Sequence, residues 1–298
     1  MQDTKCGTNN EYTPLVTIYI TTYNRLTLLK RAVESARNQD YHNIEILIVN
    51  DNSNDSTEDY LKAISTIDNR IRHFTNNKNL GACASRNIAI NNANGEFITG
   101  LDDDDFFLPN RISDFLGAWE HKLESTVALT SSVKLLYKNN KTSTLKRPRI
   151  VRKHHLIDNS NFVGSQVFTY TTYLREIGGF DEQMPIMQDF ECWLRLLDIS
   201  THASIETINK PSYIVDVSHS YERISHNPQE KLNTALTIII GKHDFSALEK
   251  EILVMRLEIE KGNRIPLSLY FRKIIRNPMP RNIKGTFGLL YRSHFARR

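Results

Sequence analysis

The chain has 298 residues, of which 40% are hydrophobic and 24% are charged, and its formal net charge is +4. These values are ordinary for a soluble globular protein and allow one large or two modest domains. The three cysteines are far apart and odd in number. They predict neither a disulfide framework nor a zinc site, and they favour a reducing cytoplasm. We expect no signal peptide, and no stretch reaches the roughly 18–20 apolar residues of a membrane span.

Positive charge is concentrated at the C-terminal end. No acidic residue follows Glu260, and the segment after it contains ten lysines and arginines: Lys261, Arg264, Arg272, Lys273, Arg276, Arg281, Lys284, Arg292, Arg297 and Arg298. Basic residues interleaved with aliphatic and aromatic ones are typical of a helix that lies on an anionic membrane surface. A packed C-terminal helix with a solvated basic face is the alternative.

Strand-like and helix-like stretches alternate along the first hundred residues. After a polar N-terminus, residues 15–20 (LVTIYI) are apolar, aromatic and β-branched, as in a buried strand. Apolar residues then recur at helical spacing from Leu28 to Ala36, with Thr27 as the candidate N-cap. Helices separate the further predicted strands, which cover residues 44–49, 71–74 and 97–101. This alternation predicts right-handed βαβ units and a mostly parallel sheet.

Three of these strands are followed by polar loops, at residues 21–25, 50–56 and 102–105. Because the carboxyl ends of parallel strands meet at one edge of a sheet, we expect the loops to form one ligand site. The last loop holds four consecutive carboxylates, which repel each other unless a divalent cation lies among them. A solvated acidic loop is the alternative. The chain has no GxGxxG or GxxxxGK[ST] loop, which disfavours dinucleotide cofactors and P-loop phosphate binding.

The second half of the chain is less regular. Residues 127–130 and 133–137 are predicted strands, and residues 138–153 form a basic, turn-rich segment. Residues 162–166 are predicted to form a loop. From Glu230 onward the apolar residues recur at helical spacing, so we expect a helical C-terminal region.

Five stretches carry a resemblance to a known family. They occur in the family's order and near its usual spacing, at residues 14–25 (PLVTIYITTYNR), 46–57 (ILIVNDNSNDST), 79–95 (NLGACASRNIAINNANG), 96–109 (EFITGLDDDDFFLP) and 178–196 (GGFDEQMPIMQDFECWLRL). Any one of them is weak by itself. Together the chain resembles a family 2 glycosyltransferase with a GT-A fold, an α/β fold with a Rossmann-like, mostly parallel sheet.

The resemblance implies a set of site residues. Thr21 and Tyr23 would line the nucleotide base pocket, Asp51 would hydrogen-bond the base, and Arg86 would face the diphosphate. Asp102 and Asp104 match the outer residues of the DxD motif, toward the ribose and the metal, with Asp103 between them in the nucleotide-sugar site. Asp104 is the first choice as direct metal ligand, and His219 matches a histidine that approaches the metal or the diphosphate. Asp189 matches the general base of inverting members.

The residues around Asp189 support a base independently. Apolar residues from Phe190 to Leu197 form a helical face, and Asp189 lies at the start of that helix, where the dipole favours its ionised form. A sugar hydroxyl has a pKa far above 7, so its attack on an anomeric carbon needs a base within hydrogen-bond reach. The alternative is that Asp189 is only an N-cap.

Two departures from the family pattern stand close to these residues. Where the family usually has Asp-Asp-Gly-Ser, this chain has Asn50 in the first position and Asn52 in place of the glycine. Where the family usually has a Glu-Asp pair, this chain has Gln188-Asp189. The expected functional aspartate is present in both places. We interpret the departures as changes that tune the site.

By resemblance, the chain is expected to be an inverting, metal-dependent, UDP-sugar-dependent hexosyltransferase using Mn²⁺ or Mg²⁺. It would move a hexose or an N-acetylhexosamine to an undecaprenyl-diphosphate-linked sugar or a lipopolysaccharide acceptor, with a β-linkage, in O-antigen or surface polysaccharide biosynthesis. We expect it in the cytoplasm, peripherally on the inner face of the cell membrane. The expected organisation is a flexible N-terminus (1–13), a GT-A domain (14–225, divided into a nucleotide-binding half at 14–109 and an acceptor half at 110–225) and a helical, basic extension (226–298).

Two other functions would use parts of the same sequence. A Mg²⁺-dependent nucleotidyl- or phosphotransferase would also use the aspartates, but the chain has neither a DxDx[TV] nucleophile loop nor a basic triphosphate loop. A nucleic-acid-binding protein would use the basic tail, but no recognised nucleic-acid-binding pattern is present, and the acidic run would repel phosphate. We therefore expect no nucleic-acid partner.

Overall fold

The computed structural model describes residues 12–158, 161–219, 229–260 and 266–276. Most of the predicted flexible N-terminus and residues 277–298 of the basic extension lie outside these residues. The first half of the chain alternates strands and helices as predicted: β1 (Val16–Thr22), α1 (Leu26–Arg37), β2 (Ile44–Asn50), α2 (Thr57–Ile67), β3 (Ile71–Thr75), α3 (Ala82–Asn92) and β4 (Phe97–Asp102).

The second half mixes short strands with helices. Its elements are β5 (Phe106–Phe107), α4 (Arg111–Glu120), β6 (Thr126–Leu136), β7 (Thr142–Leu145), β8 (Ile150–Val151), α5 (Lys153–Asp158), β9 (Phe168–Tyr170), α6 (Thr171–Glu176), α7 (Gln188–Leu196) and β10 (Ser204–Asp216). Three helices follow in the C-terminal region: α8 (Gln229–Lys242), α9 (Ala247–Glu260) and α10 (Leu267–Arg276).

All described strands belong to one ten-stranded sheet. Its main order is β3-β2-β1-β4-β9-β6-β10-β5, with β7 on β6 and β8 on β10. The four strands from β3 to β4 are parallel, whereas β9 is antiparallel to both β4 and β6. The prediction of a mostly parallel sheet in the first half is therefore confirmed, and the carboxyl ends of β1, β2 and β4 lie side by side.

The interior has one apolar layer on each side of the sheet. Ile18 and Ile20 of β1 pack with α1, α2 and α4, whereas Tyr19 faces the layer that contains α3, α7, α8 and α9. This follows from the period of two along a strand, which sends neighbouring side chains to opposite faces. The helix α7 and the C-terminal helices thus share one side of the sheet.

The division of residues 127–137 into two predicted strands was wrong, because β6 runs through them without a break. Ser131 and Ser132 interrupt the apolar pattern, but both are buried, and Ser131 pairs with Ile208 of β10. Arg111 donates a hydrogen bond of 3.0 Å to the Ser131 hydroxyl, so the polar side chain has a partner inside the protein. A buried serine with a partner does not end a strand.

The predicted N-cap of α1 was also wrong. The helix begins at Leu26, one residue before Thr27, and its N-cap position is Arg25, whose side chain makes no capping bond. The Leu26 N–H donates instead to a carboxylate oxygen of Asp55, at 3.1 Å, from the loop after β2. One of the backbone N–H groups left free at this helix end therefore has a side-chain partner from the loop after β2.

None of the helices within the described ranges is long and apolar enough to cross a membrane.

Candidate active site

A cavity of about 550 Å³ opens where the carboxyl ends of β1, β2 and β4 meet. The residues that line it include eight of those predicted from the sequence: Thr21, Tyr23, Asp51, Arg86, Asp102, Asp103, Asp104 and Asp189. The strand register explains part of this meeting, since Thr21 of β1 lies directly beside Asp102 of β4. Asp189 belongs to α7, which is distant in sequence from these strands, and it lines the same cavity.

All four aspartates of the run line the cavity, but their exposure alternates. Asp102 and Asp104 are partly exposed, whereas Asp103 and Asp105 are buried. Burial raises the pKa of Asp103 to about 6, although Arg25 and Thr22 oppose the rise. Asp102 and Asp104, which the resemblance assigns to the ribose and the metal, are therefore the two more accessible carboxylates of the run.

Asp102 is held by three side chains. Its Oδ1 accepts hydrogen bonds from Arg86, at 3.2 Å, and from the amide of Gln166, at 2.9 Å. The hydroxyl of Tyr213 lies 3.4 Å from Oδ2 and also accepts the Asp102 backbone N–H, at 3.2 Å. Gln166 is itself oriented by Tyr19, whose hydroxyl donates to its carbonyl oxygen at 2.8 Å. These contacts give the Asp102 carboxylate a defined orientation.

Arg25 joins the next two aspartates. Its Nη1 lies 3.2 Å from Oδ1 of Asp103 and 3.4 Å from Oδ2 of Asp104. Thr22 donates to the other oxygen of Asp103 at 2.8 Å. Arg31 of α1 donates to the Asp104 backbone oxygen at 2.6 Å. Arg25 at the N-cap of α1 and Arg31 in the middle of this helix thus offset part of the negative charge of the run.

His219 lies beside Asp104. Its Nε2 is 3.2 Å from Oδ2 of Asp104, and its side chain is largely buried. Within the described residues there is no group of three or more histidine, cysteine, aspartate or glutamate side chains arranged to hold a metal ion. Mg²⁺ in phosphate-transfer sites is commonly held by one or two carboxylates plus the substrate phosphates. The pairing of Asp104 with His219, and Asp102 on the same cavity wall, fits such a partial ligand set.

Asp51 lies in the cavity wall and also organises the loop before α3. Its carboxylate is buried and accepts hydrogen bonds from the Asn76 amide and from the backbone N–H groups of Leu80 and Gly81, each at 2.8 Å. Gly81 has a φ of +87°, which favours glycine, and it precedes the first residue of α3. Asp51 therefore determines how α3 begins.

Arg86 projects from α3 into the same region. Its guanidinium lies 5.1 Å from the centre of the Phe180 ring. Burial by itself would lower the pKa of Arg86, but the neighbouring Asp102 raises it above its ordinary value. Arg86 is therefore a permanent cation on the cavity wall, and such a cation attracts phosphate groups.

Asp189 is the second residue of α7, so it is not the N-cap of that helix. The N-cap is Met187, which has a left-handed φ of 59°. Oδ1 of Asp189 accepts the Phe190 N–H at 2.8 Å, and Oδ2 accepts the side-chain amide of Asn161 at 2.7 Å. Burial raises the pKa of Asp189, while the Phe190 N–H and the charge of Arg86 act in the opposite direction. A carboxylate with a raised pKa is a stronger base than one in water.

Several residues at the site were not found from the sequence: Arg25, Arg31, Asn161, Gln166 and Tyr213. Arg25 ends the first matching stretch, and Gln166 lies in the loop predicted at residues 162–166, so both had a weak signal. Asn161 precedes that same loop. The other two lie in an ordinary amphipathic helix and an ordinary strand, where no local pattern distinguishes them.

Comparison with known proteins identifies the family of the chain. The model of the family described as Glycosyl transferase family 2 matches residues 17–177. The chain is 34% identical over 229 residues to WcaA of Escherichia coli, named as a colanic acid biosynthesis glycosyl transferase; the match covers 73% of this chain and 77% of WcaA. It is 36% identical over 104 residues to a GalNAc(5)-diNAcBac-PP-undecaprenol beta-1,3-glucosyltransferase of Campylobacter jejuni, covering 35% of this chain and 34% of that protein.

Solved structures show the same fold. The crystal structure of residues 1–349 of S. aureus TarS in complex with UDP-GlcNAc aligns with a TM-score of 0.64 at 17% identity, covering 92% of this chain and 79% of that one. The mannosyltransferase PcManGT of Pyrobaculum calidifontis, in complex with GDP-Man and Mn²⁺, aligns with a TM-score of 0.56 at 14% identity, covering 97% and 77%. The GT-A fold predicted from the motifs is confirmed. Since the family model covers more than half of the sequence, the chain belongs to glycosyl transferase family 2.

Proposed function

We propose that this glycosyltransferase is an inverting, metal-dependent enzyme that moves a hexose or an N-acetylhexosamine from a UDP-sugar to a lipid-linked or lipopolysaccharide acceptor. The observation that carries the proposal is that the acidic end of β4 and the partly buried Asp189 line one cavity. The acidic end of β4 would supply the carboxylates that hold a cation against the nucleotide diphosphate. Asp189 would supply the base that acts on the acceptor. Inverting transfer needs both at the same anomeric carbon.

The donor nucleotide would lie over the ends of β1 and β2. Thr21 and Tyr23 would line the base pocket, with Asp51 accepting a hydrogen bond from the base and Arg86 facing the diphosphate. The TarS complex with UDP-GlcNAc supports a UDP-sugar as the donor of this chain. The PcManGT complex contains GDP-mannose, which is therefore the alternative donor. A test of both nucleotides therefore belongs in any assay of this chain.

Asp104, with His219 and Asp102 beside it, would hold Mn²⁺ or Mg²⁺ against the donor diphosphate. When bound, the cation would stabilise the negative charge that develops on the leaving nucleotide. The Mn²⁺ in the PcManGT complex supports a divalent cation in this fold. Arg25 and Arg86 would add two fixed positive charges on the same wall of the cavity.

Asp189 would act on the acceptor. Its carboxylate accepts the proton of the acceptor hydroxyl while the hydroxyl oxygen attacks the anomeric carbon from the face opposite the nucleotide. Displacement from that face inverts the configuration, so an α-linked donor gives a β-linked product. The bond from Asn161 keeps the carboxylate in place during this step.

The acceptor and the location are part of the same proposal. The Campylobacter relative is named for an undecaprenol diphosphate acceptor, which supports a lipid-linked acceptor here. In α10, Tyr270 is buried, whereas Leu267, Phe271 and Ile275 are 53%, 63% and 78% exposed and recur every four residues. An exposed apolar stripe in a basic segment fits peripheral binding to the anionic inner face of the cell membrane.

The proposal is tested by UDP release from a panel of UDP-sugars in Mn²⁺, with GDP-mannose included and with lipid-diphosphate-GlcNAc and lipid-diphosphate-GalNAc as acceptors. We expect one UDP-sugar to give acceptor-dependent UDP and a product heavier by one sugar, with the anomeric coupling of a β-linkage. Release of pyrophosphate, or transfer of a phosphoryl group, would instead support a nucleotidyl- or phosphotransferase.

A further inference from the structure

The acceptor half of the chain contains a second concentration of positive charge, separate from the C-terminal one. Residues 125–157 include eight lysines and arginines and no aspartate or glutamate. Five of the eight, among them Arg149, are exposed on the surface. Arg147 differs from these because it is half-buried against the loop at residues 161–165.

The guanidinium of Arg147 makes few polar contacts for its degree of burial. Its Nη1 donates to the Thr130 hydroxyl at 2.9 Å. It is packed so closely against Gly164 that a Cβ on this glycine would lie 2.2 Å from Nη2. No carboxylate among the described residues forms an ion pair with it. Burial lowers the pKa of Arg147 to about 10, so the group is still charged at neutral pH.

The loop against which Arg147 packs also holds Asp189. The Gly164 carbonyl accepts the indole N–H of Trp193 at 2.7 Å and the Asn161 amide at 3.3 Å. The same Asn161 amide donates to Asp189 at 2.7 Å. Arg147 and Asp189 therefore contact the same short loop, and the charge of Asp189 is near enough to oppose the fall in the Arg147 pKa.

A guanidinium that is half-buried without a counter-ion is costly, and its planar set of N–H donors matches a phosphate. The donor diphosphate does not account for it, because Arg25 and Arg86 line the nucleotide cavity and Arg147 does not. A phosphate that pairs with Arg147 would therefore be an anion other than the donor diphosphate. In a glycosyl transfer, that anion belongs to the acceptor.

We infer that Arg147 binds a phosphate ester of the acceptor, next to the sugar whose hydroxyl is directed at Asp189. The inference rests on the proposed function and adds the chemical class that the acceptor must have at this point. A phosphate held by Arg147 would bring the sugar to which it is linked beside the loop at residues 161–165, within reach of the base.

The test uses the full chain and two probes, each prepared with GlcNAc and with GalNAc. In one the sugar is linked to a short alkyl diphosphate, and in the other it is the neutral alkyl glycoside. Binding of each is measured by calorimetry with UDP and Mn²⁺ present, so that no turnover is needed. Wild-type protein, Arg147→Ala, Arg147→Lys and the exposed matched control Arg149→Ala are compared, each with a thermal melt.

We expect the wild type to bind the diphosphate probe more tightly than the glycoside. Because a hydrogen bond to a charged group contributes roughly 1.5–3 kcal/mol, Arg147→Ala should lose roughly 10- to 100-fold in affinity for the diphosphate probe. Its affinity for the glycoside should be unchanged, Arg147→Lys should recover part of the loss, and Arg149→Ala should behave as wild type. An equal loss for both probes would mean that Arg147 only supports the loop.

Two further outcomes would overturn the inference. One is a wild type with no preference for the diphosphate probe. The other is a loss of binding to phosphatidylglycerol vesicles in Arg147→Ala, which would assign the residue to the membrane surface. UDP release from UDP-sugars is measured in parallel on the wild type, so a failure of the proposed transferase activity is recognised independently of the phosphate contact.

Discussion

Asn161 donates its side-chain amide to a carboxylate oxygen of Asp189 at 2.7 Å, across 28 positions of sequence. The same Asn161 accepts the backbone N–H groups of Val163 and Gly164 through its side-chain oxygen, at 3.1 and 3.0 Å. One side chain thus gives the loop at residues 161–165 its shape and fixes the orientation of the candidate base. Two predictions about catalysis follow from this contact.

Asp189→Asn should fold and bind donor but lose most of its turnover. The change is nearly isosteric, and its side-chain oxygen can still accept the Phe190 N–H, but its NH2 group cannot accept the Asn161 amide, so the loss of stability should be roughly 1–3 kcal/mol. Loss of a general base typically costs roughly 10²–10⁴-fold in rate, and it should appear in kcat with little change in UDP-sugar affinity. The measurement is kcat at saturating substrates, with a donor titration and a melt. A folded, donor-binding variant that retains more than about a tenth of wild-type kcat would exclude Asp189 as the base.

Asn161→Ala should change the pH dependence of turnover. The amide stabilises the ionised form of Asp189, so its removal should raise the pKa of Asp189 further. The acid limb of the kcat profile should therefore move to higher pH, and kcat at high pH should fall less than in Asp189→Asn. The exposed Asn139→Ala serves as control. An unchanged acid limb in a folded Asn161→Ala variant would mean that the contact does not act on the base.

Asp104→Ala should abolish transfer and weaken UDP-sugar binding in Mn²⁺. The motivation is that a cation held by this carboxylate offsets the charge of the two donor phosphates. Calorimetry of UDP with and without Mn²⁺ should show a metal-dependent gain in affinity in the wild type and in the exposed control Asp59→Ala, but not in Asp104→Ala. Undiminished wild-type turnover in excess EDTA would contradict the metal requirement.

A buried charge cluster joins α7 to the end of α8. Glu191 of α7 is fully buried and accepts two hydrogen bonds from Arg195, at 2.8 and 2.6 Å, and Lys242 lies 3.1 Å from it. His243 lies between Glu191, at 3.5 Å, and Asp198, at 3.6 Å. Ion pairs at the end of α8 therefore hold it against α7, the helix that carries Asp189.

His243 should make the stability of the protein depend on pH. Burial by itself would lower the pKa of His243, but Asp198 and Glu191 raise it above its ordinary value, and Lys153 opposes them. A raised pKa in the folded state means that the stabilisation is complete below the ordinary value of about 6.5 and is lost as pH rises through the folded-state pKa. The melting temperature should therefore fall as pH rises above about 6.5, and His243→Gln should reduce this fall. The exposed His202→Gln should leave it unchanged; equal pH profiles for all three proteins would contradict the assignment.

Replacing Phe271 and Ile275 by serine should weaken binding to anionic vesicles without unfolding the protein. Both side chains are mostly exposed, so little packing is lost, whereas each would bury apolar area at a membrane surface. Removal of residues 264–298 should have a larger effect, since each lysine or arginine near the surface contributes roughly 1 kcal/mol. The measurement is co-sedimentation with phosphatidylglycerol vesicles across a salt series. The control is Ile67→Ser, which changes an exposed apolar residue on α2. A wild type that does not bind such vesicles at low salt would show that the tail has only a structural role.

The fold of the first half of the chain was predictable from the sequence because its signals are local. The strands are short apolar runs, the helices between them have a regular apolar spacing, and each strand ends at a cluster of polar residues. Parallel strands bring such clusters to one edge by geometry alone. The meeting of Thr21, Asp51 and Asp102 therefore followed from chain order, before any tertiary contact was known.

The sequence by itself determined which residue types stand at that edge, including four carboxylates that cannot all be exposed or all be buried without cost. Only the tertiary structure decided which of them are buried, that Arg25 bridges two of them, and that Asp55 rather than Thr27 satisfies the start of α1. It also brought Asn161 to Asp189 and Arg147 to Gly164. These contacts join residues far apart in the chain through irregular loops. Hydrophobic periodicity carries no information about such loops, because their paths are set by packing against the finished sheet.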